Sequence, residues 1–219
     1  FQLFGKRFAL MLPAIFGLSG LTLTAEEEEL IRRADPLGFI LFARNIDNPQ
    51  QVKGLTDSLK TLTGRDNLPI LIDQEGGRVA RLVPPHWRVW PPALDFAHAY
   101  AQSPERGRAA AVCNYQALAL DLAALGISVN CAPVLDVPET GAHDIIGDRA
   151  FGAEPAMVAE LGAALLEGFA LSGVVGVVKH IPGHGRALAD SHEALPRVTA
   201  SIEALNRDLA PFKALAHAP

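Results

Sequence analysis

The chain of 219 residues has only two cysteines, Cys113 and Cys131. Two are too few for the disulfide framework that stabilises many small secreted domains. Both cysteines lie among apolar residues, so we predict that they are buried free thiols. Their number and setting are typical of a protein in a reducing compartment.

Concentrated positive charge and long apolar segments are also missing. The formal net charge is -5 and no cluster of lysine and arginine stands out, which argues against nucleic acid as the main partner. No apolar run approaches the ~18 residues needed to cross a bilayer, so no membrane association is expected.

The first residues loosely imitate a signal peptide, because Lys6 and Arg7 precede the apolar residues 8–18. Pro13 interrupts this run, and no clear small-x-small cleavage site precedes the next predicted helix. We therefore favour a first core strand here. The chain begins with phenylalanine and not methionine, so this position need not be the natural start.

The sequence does contain a regular alternation of apolar and helical segments. Hydrophobic residues make up 49% of the chain and charged residues 20%, which is typical of a globular protein with a well-filled core. Five short apolar segments predict strands, at residues 10–16, 38–42, 69–72, 127–131 and 174–178. Helix-start signals lie between and after them, at Thr24 with Glu27, Asn48-Pro49, Ser103-Pro104, Pro155 and Ser201.

These strands predict an α/β fold with a parallel sheet, because nearly continuous apolar strands need helices on both faces. The turn Gly17-Leu18-Ser19-Gly20 after the first strand lacks the G-x-G-x-x-G pattern of a doubly wound fold. Polar residues follow strand after strand, as at the catalytic face of a (β/α)₈ barrel. Such a barrel typically has about 250 residues. We therefore predict a single catalytic barrel domain over residues 1–219 with about the first five of eight β/α units.

The segment after the fifth predicted strand is the richest in titratable groups. It contains Lys179, His180 and His184, and Asp190 and His192 follow shortly after. The two histidines four residues apart would suit a metal ion on a helix, but a proline and a glycine between them oppose a helix, so we disfavour metal. Asp190 can orient His192 for proton transfer as an acid/base dyad. The alternative for this pair is a solvated loop.

Two further loops carry groups suited to a polar ligand. Asp73 follows the third strand, and carboxylates beside two glycines can accept hydrogen bonds from sugar hydroxyls. Arg81 could add a donor, and Arg149 lies between glycines where it can be held as a rigid fork. The alternatives are a solvated turn at Asp73, a surface position for Arg81 and a surface ion pair between Asp148 and Arg149.

Several motifs occur in one order along the chain. They are Leu41-Phe42-Ala43-Arg44-Asn45, Asp73-Gln74-Glu75-Gly76-Gly77-Arg78-Val79-Ala80-Arg81, Gly147-Asp148-Arg149-Ala150-Phe151-Gly152, and Lys179-His180-Ile181-Pro182-Gly183-His184-Gly185 with Asp190-Ser191-His192. In this order, and at close to this spacing, they resemble glycoside hydrolase family 3. The resemblance is to its single-domain bacterial β-N-acetylhexosaminidases of the NagZ type, and it extends from about Pro13 to the chain end.

The resemblance implies a (β/α)₈ barrel that removes terminal β-linked N-acetylglucosamine, typically from peptidoglycan fragments in the cytoplasm. It implies a set of sugar-binding residues, which are Asp73, Arg81, Arg149, Lys179 and His180. His192 would be the general acid/base and Asp190 would orient it. The family is retaining and uses an aspartate nucleophile. No cofactor or metal ion is expected, and the protein is expected to act as a monomer on a small carbohydrate.

The chain departs from the family pattern in two places. The nucleophile belongs to a Ser-Asp-Asp-Leu-like segment after a later strand, and no part of the 219 residues matches it. Either the sequence is incomplete or covalent catalysis has been lost. We favour incompleteness, because a parallel barrel without its last units would expose an apolar sheet edge. Arg186 stands where the family usually has an aspartate, a change that could alter loop motion or contacts with the aglycone.

Two other interpretations stay open. A family 3 β-glucosidase would share the barrel, but it usually adds a second domain and lacks the Asp-x-His loop. A non-catalytic sugar-binding relative would keep Asp73, Lys179 and His180 while lacking the nucleophile.

Overall fold

A five-stranded parallel sheet organises the computed structural model, which describes residues 11–142, 144–187 and 195–218. The strands are β1 (Leu12–Gly17), β2 (Pro36–Leu41), β3 (Ile70–Ile72), β4 (Val129–Asn130) and β5 (Val175–Gly176). The helices are α1 (Ala25–Ala34), α2 (Pro49–Thr63), α3 (Ala93–Gln102), α4 (Pro104–Ala124), α5 (Pro155–Ala170) and α6 (Ile202–Ala214). Neighbouring strands follow chain order without a reversal. This is the arrangement of part of a (β/α)₈ barrel, and it confirms the predicted fold class.

Side-chain caps explain where several of the helices begin, and the predicted helix starts are confirmed. Thr24 and Glu27 form a capping box, in which Thr24 Oγ1 accepts from the Glu27 amide at 3.2 Å and Glu27 Oε2 accepts from the Thr24 amide at 2.9 Å. Asn48 accepts from the Gln51 amide at 3.0 Å, with a proline at the first position of α2. Ser201 caps α6 in the same way.

Helix α3 was not anticipated from the sequence. It begins after two prolines, and Pro92 at its N-terminal cap makes no side-chain hydrogen bond. The usual signal for a helix start is a side-chain oxygen at the N-terminal cap, and proline has none. The short helix matters because it packs on α4, and both contribute to the aromatic core.

The sheet is buried at its centre and exposed at its two edges. Phe39, Leu41, Ile70 and Ile72 of the inner strands are fully buried, as predicted for a sheet covered on both faces. At the edge of β5, Val175 is 58% exposed. Apolar residues of β1 are also exposed, as expected for part of a barrel, because each outer strand has only one neighbour among the described residues.

An aromatic cluster ties the long helices to the loop that carries Arg149. The Tyr115 ring of α4 lies 5.3 Å from Phe96, 5.9 Å from Phe169 and 6.4 Å from Phe151, measured between centroids. Phe151 is fully buried. Since it follows Arg149 by two residues, its packing anchors the loop at the carboxyl edge of the sheet.

The cysteines are free, but the prediction that both are buried is wrong. Cys113 is exposed and Cys131 is partly buried. Cys113 lies two residues before the buried Tyr115, and residues two apart on a helix point to different faces. Burial raises the pKa of the Cys131 thiol, and the negative charge of Asp73 adds to that effect. No helix in the described ranges is long and apolar enough to span a bilayer.

Candidate active site

Lys179 lies at the centre of a charged cluster at the carboxyl edge of the sheet, which is the side where the C-terminal ends of the strands lie. Its Nζ is 3.0 Å from Asp73 Oδ1 and 2.5 Å from Glu75 Oε1. The main chain fixes this position, because the Lys179 amide donates to Pro133 O at 3.1 Å and its carbonyl accepts from the Leu135 amide at 2.6 Å. The segments after β3, β4 and β5 therefore meet at one point.

Arg149 joins the same cluster through Glu75. Its Nε and Nη2 donate to the two oxygens of Glu75 at 2.8 and 2.9 Å, a bidentate pair. The side chains are only 9% and 7% exposed. The alternative of a surface pair between neighbouring residues does not hold, because Asp148 pairs instead with Arg78 at 3.0 Å.

The buried ion pair shifts the pKa of both of its members. Burial by itself would raise the pKa of Glu75, but hydrogen bonds and positive charge from Arg149 and Lys179 outweigh it and hold that pKa below its usual value. Burial would lower the pKa of Arg149, but the Glu75 carboxylate outweighs that effect and raises it. Glu75 is therefore a permanent negative charge between two cations at neutral pH.

Asp73 and Arg81 form the more open side of the cluster. Arg81 Nη2 lies 3.5 Å from Asp73 Oδ2, with side-chain exposures of 27% and 20%. Gln74, between Asp73 and Glu75, is buried and holds the loop through its side-chain oxygen, which accepts from the Arg81 amide at 2.8 Å. Its main-chain amide and carbonyl pair with the Asn130 side chain at 3.0 and 2.8 Å.

Gly76 allows the turn that directs Asp73 and Glu75 into the cluster. It has a φ of 100°, and a Cβ there would lie 2.3 Å from Pro91 O. Both the dihedral angle and the contact require glycine.

Gly76→Ala is expected to lower the free energy of unfolding by about 1–3 kcal/mol, from backbone strain and a clash with main chain that cannot move cheaply. Urea unfolding of the two proteins measures the difference. Gly20→Ala is the matched control, because a Cβ at Gly20 would meet nothing within 4 Å. Equal unfolding midpoints for both variants would contradict the role given to Gly76.

His180 follows Lys179 and pairs with a buried carboxylate. Its Nδ1 lies 2.6 Å from Asp136 Oδ2, and the Asp136 side chain is fully buried. The His184 ring packs edge-on against the His180 ring, with centroids 5.1 Å apart at 87°. In the described ranges, no three or more histidine, cysteine, aspartate or glutamate side chains are grouped so that they could hold a metal ion.

Arg44, Asn45 and Arg186 have structural contacts outside the cluster. Arg44 Nε and Asn45 Nδ2 both donate to Leu18 O, at 2.7 and 3.1 Å, and so hold the loop after β1. Arg186 makes two hydrogen bonds to the buried Asp208 of α6, at 2.5 and 3.0 Å, and also pairs with Glu139.

The cluster unites four of the predicted sugar-binding residues, Asp73, Arg81, Arg149 and Lys179, and His180 adjoins Lys179. The predicted dyad of Asp190 and His192 lies outside the described residues. Sequence reasoning did not assign Glu75, which links two cations, or Asp136, which holds His180. Both follow predicted strand ends, and that position was the available signal.

A choice of site by cavity volume would select another part of the chain. A cavity of about 620 Å³ lies between α4, α5 and α6, lined largely by apolar residues such as Leu166 and Leu171. Its charged residues Arg108 and Glu167 pair with each other at the surface. We place the site at the carboxyl edge of the sheet because converging buried charges from separate strands indicate a polar ligand better than volume does.

The fold is part of a parallel barrel with a charged cluster at the carboxyl edge of its sheet, and comparison with known proteins identifies the family. The protein-family model described as "Glycosyl hydrolase family 3 N terminal domain" matches residues 9–219 of the sequence. The chain is 39% identical over 205 residues to a beta-hexosaminidase of Alkalilimnicola ehrlichii, covering 93% of this chain and 58% of that protein. A beta-hexosaminidase of Pseudomonas aeruginosa is 38% identical, with coverages of 91% and 58%. The chain belongs to glycosyl hydrolase family 3.

Solved structures agree with this assignment. Native NagZ from Neisseria gonorrhoeae is 35% identical and superimposes with a TM-score of 0.87, covering 94% of this chain and 59% of that one. The same protein in complex with N-trifluoroacetyl-D-glucosamine gives a TM-score of 0.87 and 35% identity, with coverages of 94% and 60%. This chain thus spans a little under three fifths of the length of these two beta-hexosaminidases.

Proposed function

We propose that the carboxyl edge of the sheet binds a terminal N-acetylglucosamine unit, and that the whole protein is a retaining β-N-acetylhexosaminidase. The observation that carries the proposal is the ion-pair cluster in which Lys179 joins Asp73 to Glu75. The proposed substrate is a muropeptide from peptidoglycan, processed by a monomer in the cytoplasm.

The cluster has the chemistry that a sugar needs. Asp73 and Arg81 keep about a fifth to a quarter of their side-chain surface exposed, so a carboxylate acceptor and a guanidinium donor remain within reach of hydroxyl groups. Lys179 and Arg149 are held by Glu75, which reduces the entropy lost when a ligand binds. The N-acylglucosamine complex of the gonococcal relative supports a sugar of this class.

In the proposed mechanism, His192 protonates the glycosidic oxygen while an aspartate attacks the anomeric carbon. His192 then takes a proton from water as that water attacks the anomeric carbon, and the sugar is released from the covalent intermediate. Asp190 would hold the imidazole in the tautomer that this exchange requires. In this proposed mechanism, the attacking aspartate is not one of the residues described above.

A second candidate is a sugar-binding protein without hydrolytic activity, because the ion-pair cluster by itself supplies groups for binding and none for breaking the glycosidic bond. The two functions separate in one experiment on the chain and on the complete product of its reading frame. Binding of N-acetylglucosamine by calorimetry, with release of sugar from a chromogenic N-acetyl-β-glucosaminide, supports the hydrolase. Binding without release supports the second candidate, and no binding by either protein contradicts both.

Lys179→Met is expected to weaken N-acetylglucosamine binding about 10- to 100-fold, because it removes a charged donor and leaves two carboxylates less compensated. Titration calorimetry measures the affinity, and circular dichroism checks that the variant is folded. Lys53→Met is the control, since Lys53 pairs with Asp57 on the exposed face of α2. An unchanged affinity in a folded Lys179→Met protein would contradict the site.

A further inference from the structure

The contact between Asp136 and His180 indicates which nitrogen of the His180 ring faces a ligand. Asp136 Oδ2 lies 2.6 Å from His180 Nδ1, and Asp136 Oδ1 lies 3.4 Å from the His180 amide. Both oxygens of a fully buried carboxylate therefore face one residue. An ionised carboxylate can only accept hydrogen bonds, so the proton of a neutral imidazole belongs on Nδ1.

The main chain prevents this pair from separating easily. Lys179, next to His180, pairs with the segment after β4 through Pro133 O and the Leu135 amide. Asp136 follows that segment directly. The carboxylate and the imidazole thus extend from two paired stretches of backbone, and the edge of the His184 ring restricts the His180 ring further.

Part of the His180 side chain is accessible to a ligand. The His180 side chain is 34% exposed, although the carboxylate bound to its Nδ1 is fully buried. Since Nδ1 is engaged by the carboxylate, Nε2 is the ring nitrogen left to contact a ligand. The same ring lines a cavity of about 270 Å³ together with His184 and Val198, and no side chain of the charged cluster around Lys179 lines that cavity.

We propose that Asp136 is a positioning residue that holds His180 as the Nδ1–H tautomer, so that Nε2 accepts a hydrogen bond from a hydroxyl of the bound sugar. The inference rests on the proposed function for the identity of the ligand. It assigns His180 the role of an acceptor, which complements the donors Lys179 and Arg149. A sugar whose hydroxyl at that position is replaced by fluorine has no hydrogen to donate and binds more weakly.

Nitrogen-15 NMR of the histidine-labelled 219-residue chain tests the tautomer directly, at about pH 8.5, two units above the ordinary pKa of histidine. His180→Gln identifies the His180 signals by their loss. We expect Nδ1 to show the protonated shift and Nε2 the unprotonated shift. A ring with Nε2 protonated, alone or together with Nδ1, would overturn the proposal, and this measurement needs no variant of Asp136.

Asp136→Asn provides the second measurement. The asparagine amide can donate to His180 Nδ1 or accept from it, so it does not select the Nδ1–H tautomer. The Nε2–H tautomer should then become the major species, as in free histidine. N-acetylglucosamine affinity should fall about tenfold, the equivalent of one hydrogen bond. Asp95→Asn on the exposed face of α3 is the control and should change neither quantity.

An unchanged tautomer in a folded Asp136→Asn protein would overturn the role of Asp136. Single-fluorine analogues of N-acetylglucosamine supply the last comparison. If Nε2 accepts, one analogue loses affinity against the unaltered chain and loses none against His180→Gln, and a full series without such a difference overturns the acceptor role. The expected spectrum with no sugar binding at all would contradict the proposed function while supporting the assignment of the tautomer.

Discussion

Glu75→Gln is expected to lower the free energy of unfolding by about 3–5 kcal/mol, the usual cost of breaking a buried ion pair from one side. The substitution preserves the shape of the side chain but removes the charge between Arg149 and Lys179. Both cations are largely buried, at 9% and 14% side-chain exposure, so water compensates them poorly. Urea unfolding at neutral pH measures the change.

Glu167→Gln is the matched control for that measurement. Glu167 also pairs with an arginine, Arg108, at 2.5 Å, but both side chains are more than 40% exposed. A surface pair of this kind contributes about 0–1 kcal/mol. If the two glutamine variants lost the same stability, the cluster would have no special role in the fold.

The pH dependence of the same variant follows from the direction of the Glu75 pKa. That pKa lies below its value in the unfolded chain, so the carboxylate stabilises the fold fully above the unfolded value of about 4.3. This contribution disappears as the pH falls through the folded pKa. The gap in stability between the unaltered protein and Glu75→Gln should therefore narrow below about pH 4, and a gap that widens would contradict the assigned charge.

His192→Ala is expected to reduce turnover roughly 10²–10⁴-fold on substrates with poor leaving groups, because positioned proton transfer contributes about that much. The loss should be much smaller when the leaving group departs without protonation. Rates of the complete product of the reading frame on the two kinds of β-glycoside provide the comparison. His98→Ala, at an exposed position of α3, is the control. Equal losses on both substrates would remove His192 from the role of proton donor.

Local signals in the sequence predicted much of the fold. The capping box at Thr24 and Glu27 and the cap at Asn48 involve atoms three residues apart, so the sequence contains both partners within one turn. The strand segments were predicted too long at β4 and β5, because a strand ends where its pairing ends and pairing involves distant residues. Cys113 was misplaced because apolar neighbours along the chain do not define which face of a helix is buried.

The candidate site was only partly predictable. Polar residues at strand ends marked Asp73 and Lys179, because parallel strands bring their carboxyl ends to one edge. The glycine-flanked motif in the loop after β4 marked Arg149. Their partners were not predictable. Arg149 pairs with Glu75, 74 residues away, and not with the adjacent Asp148. A short spacing offers several ion pairs of similar plausibility, and only packing selects among them.

The sequence by itself determined the order of the strands and of the helices other than α3, the starts of those helices, and the edge of the sheet that carries the chemistry. These features depend on hydrogen bonds and burial patterns within a few residues of one another. The tertiary structure alone decided that Lys179 lies between Asp73 and Glu75 and that Asp136 holds His180 by Nδ1. Those contacts join segments 106 and 44 residues apart, and they exist only because the sheet brings separate strand ends within hydrogen-bonding distance.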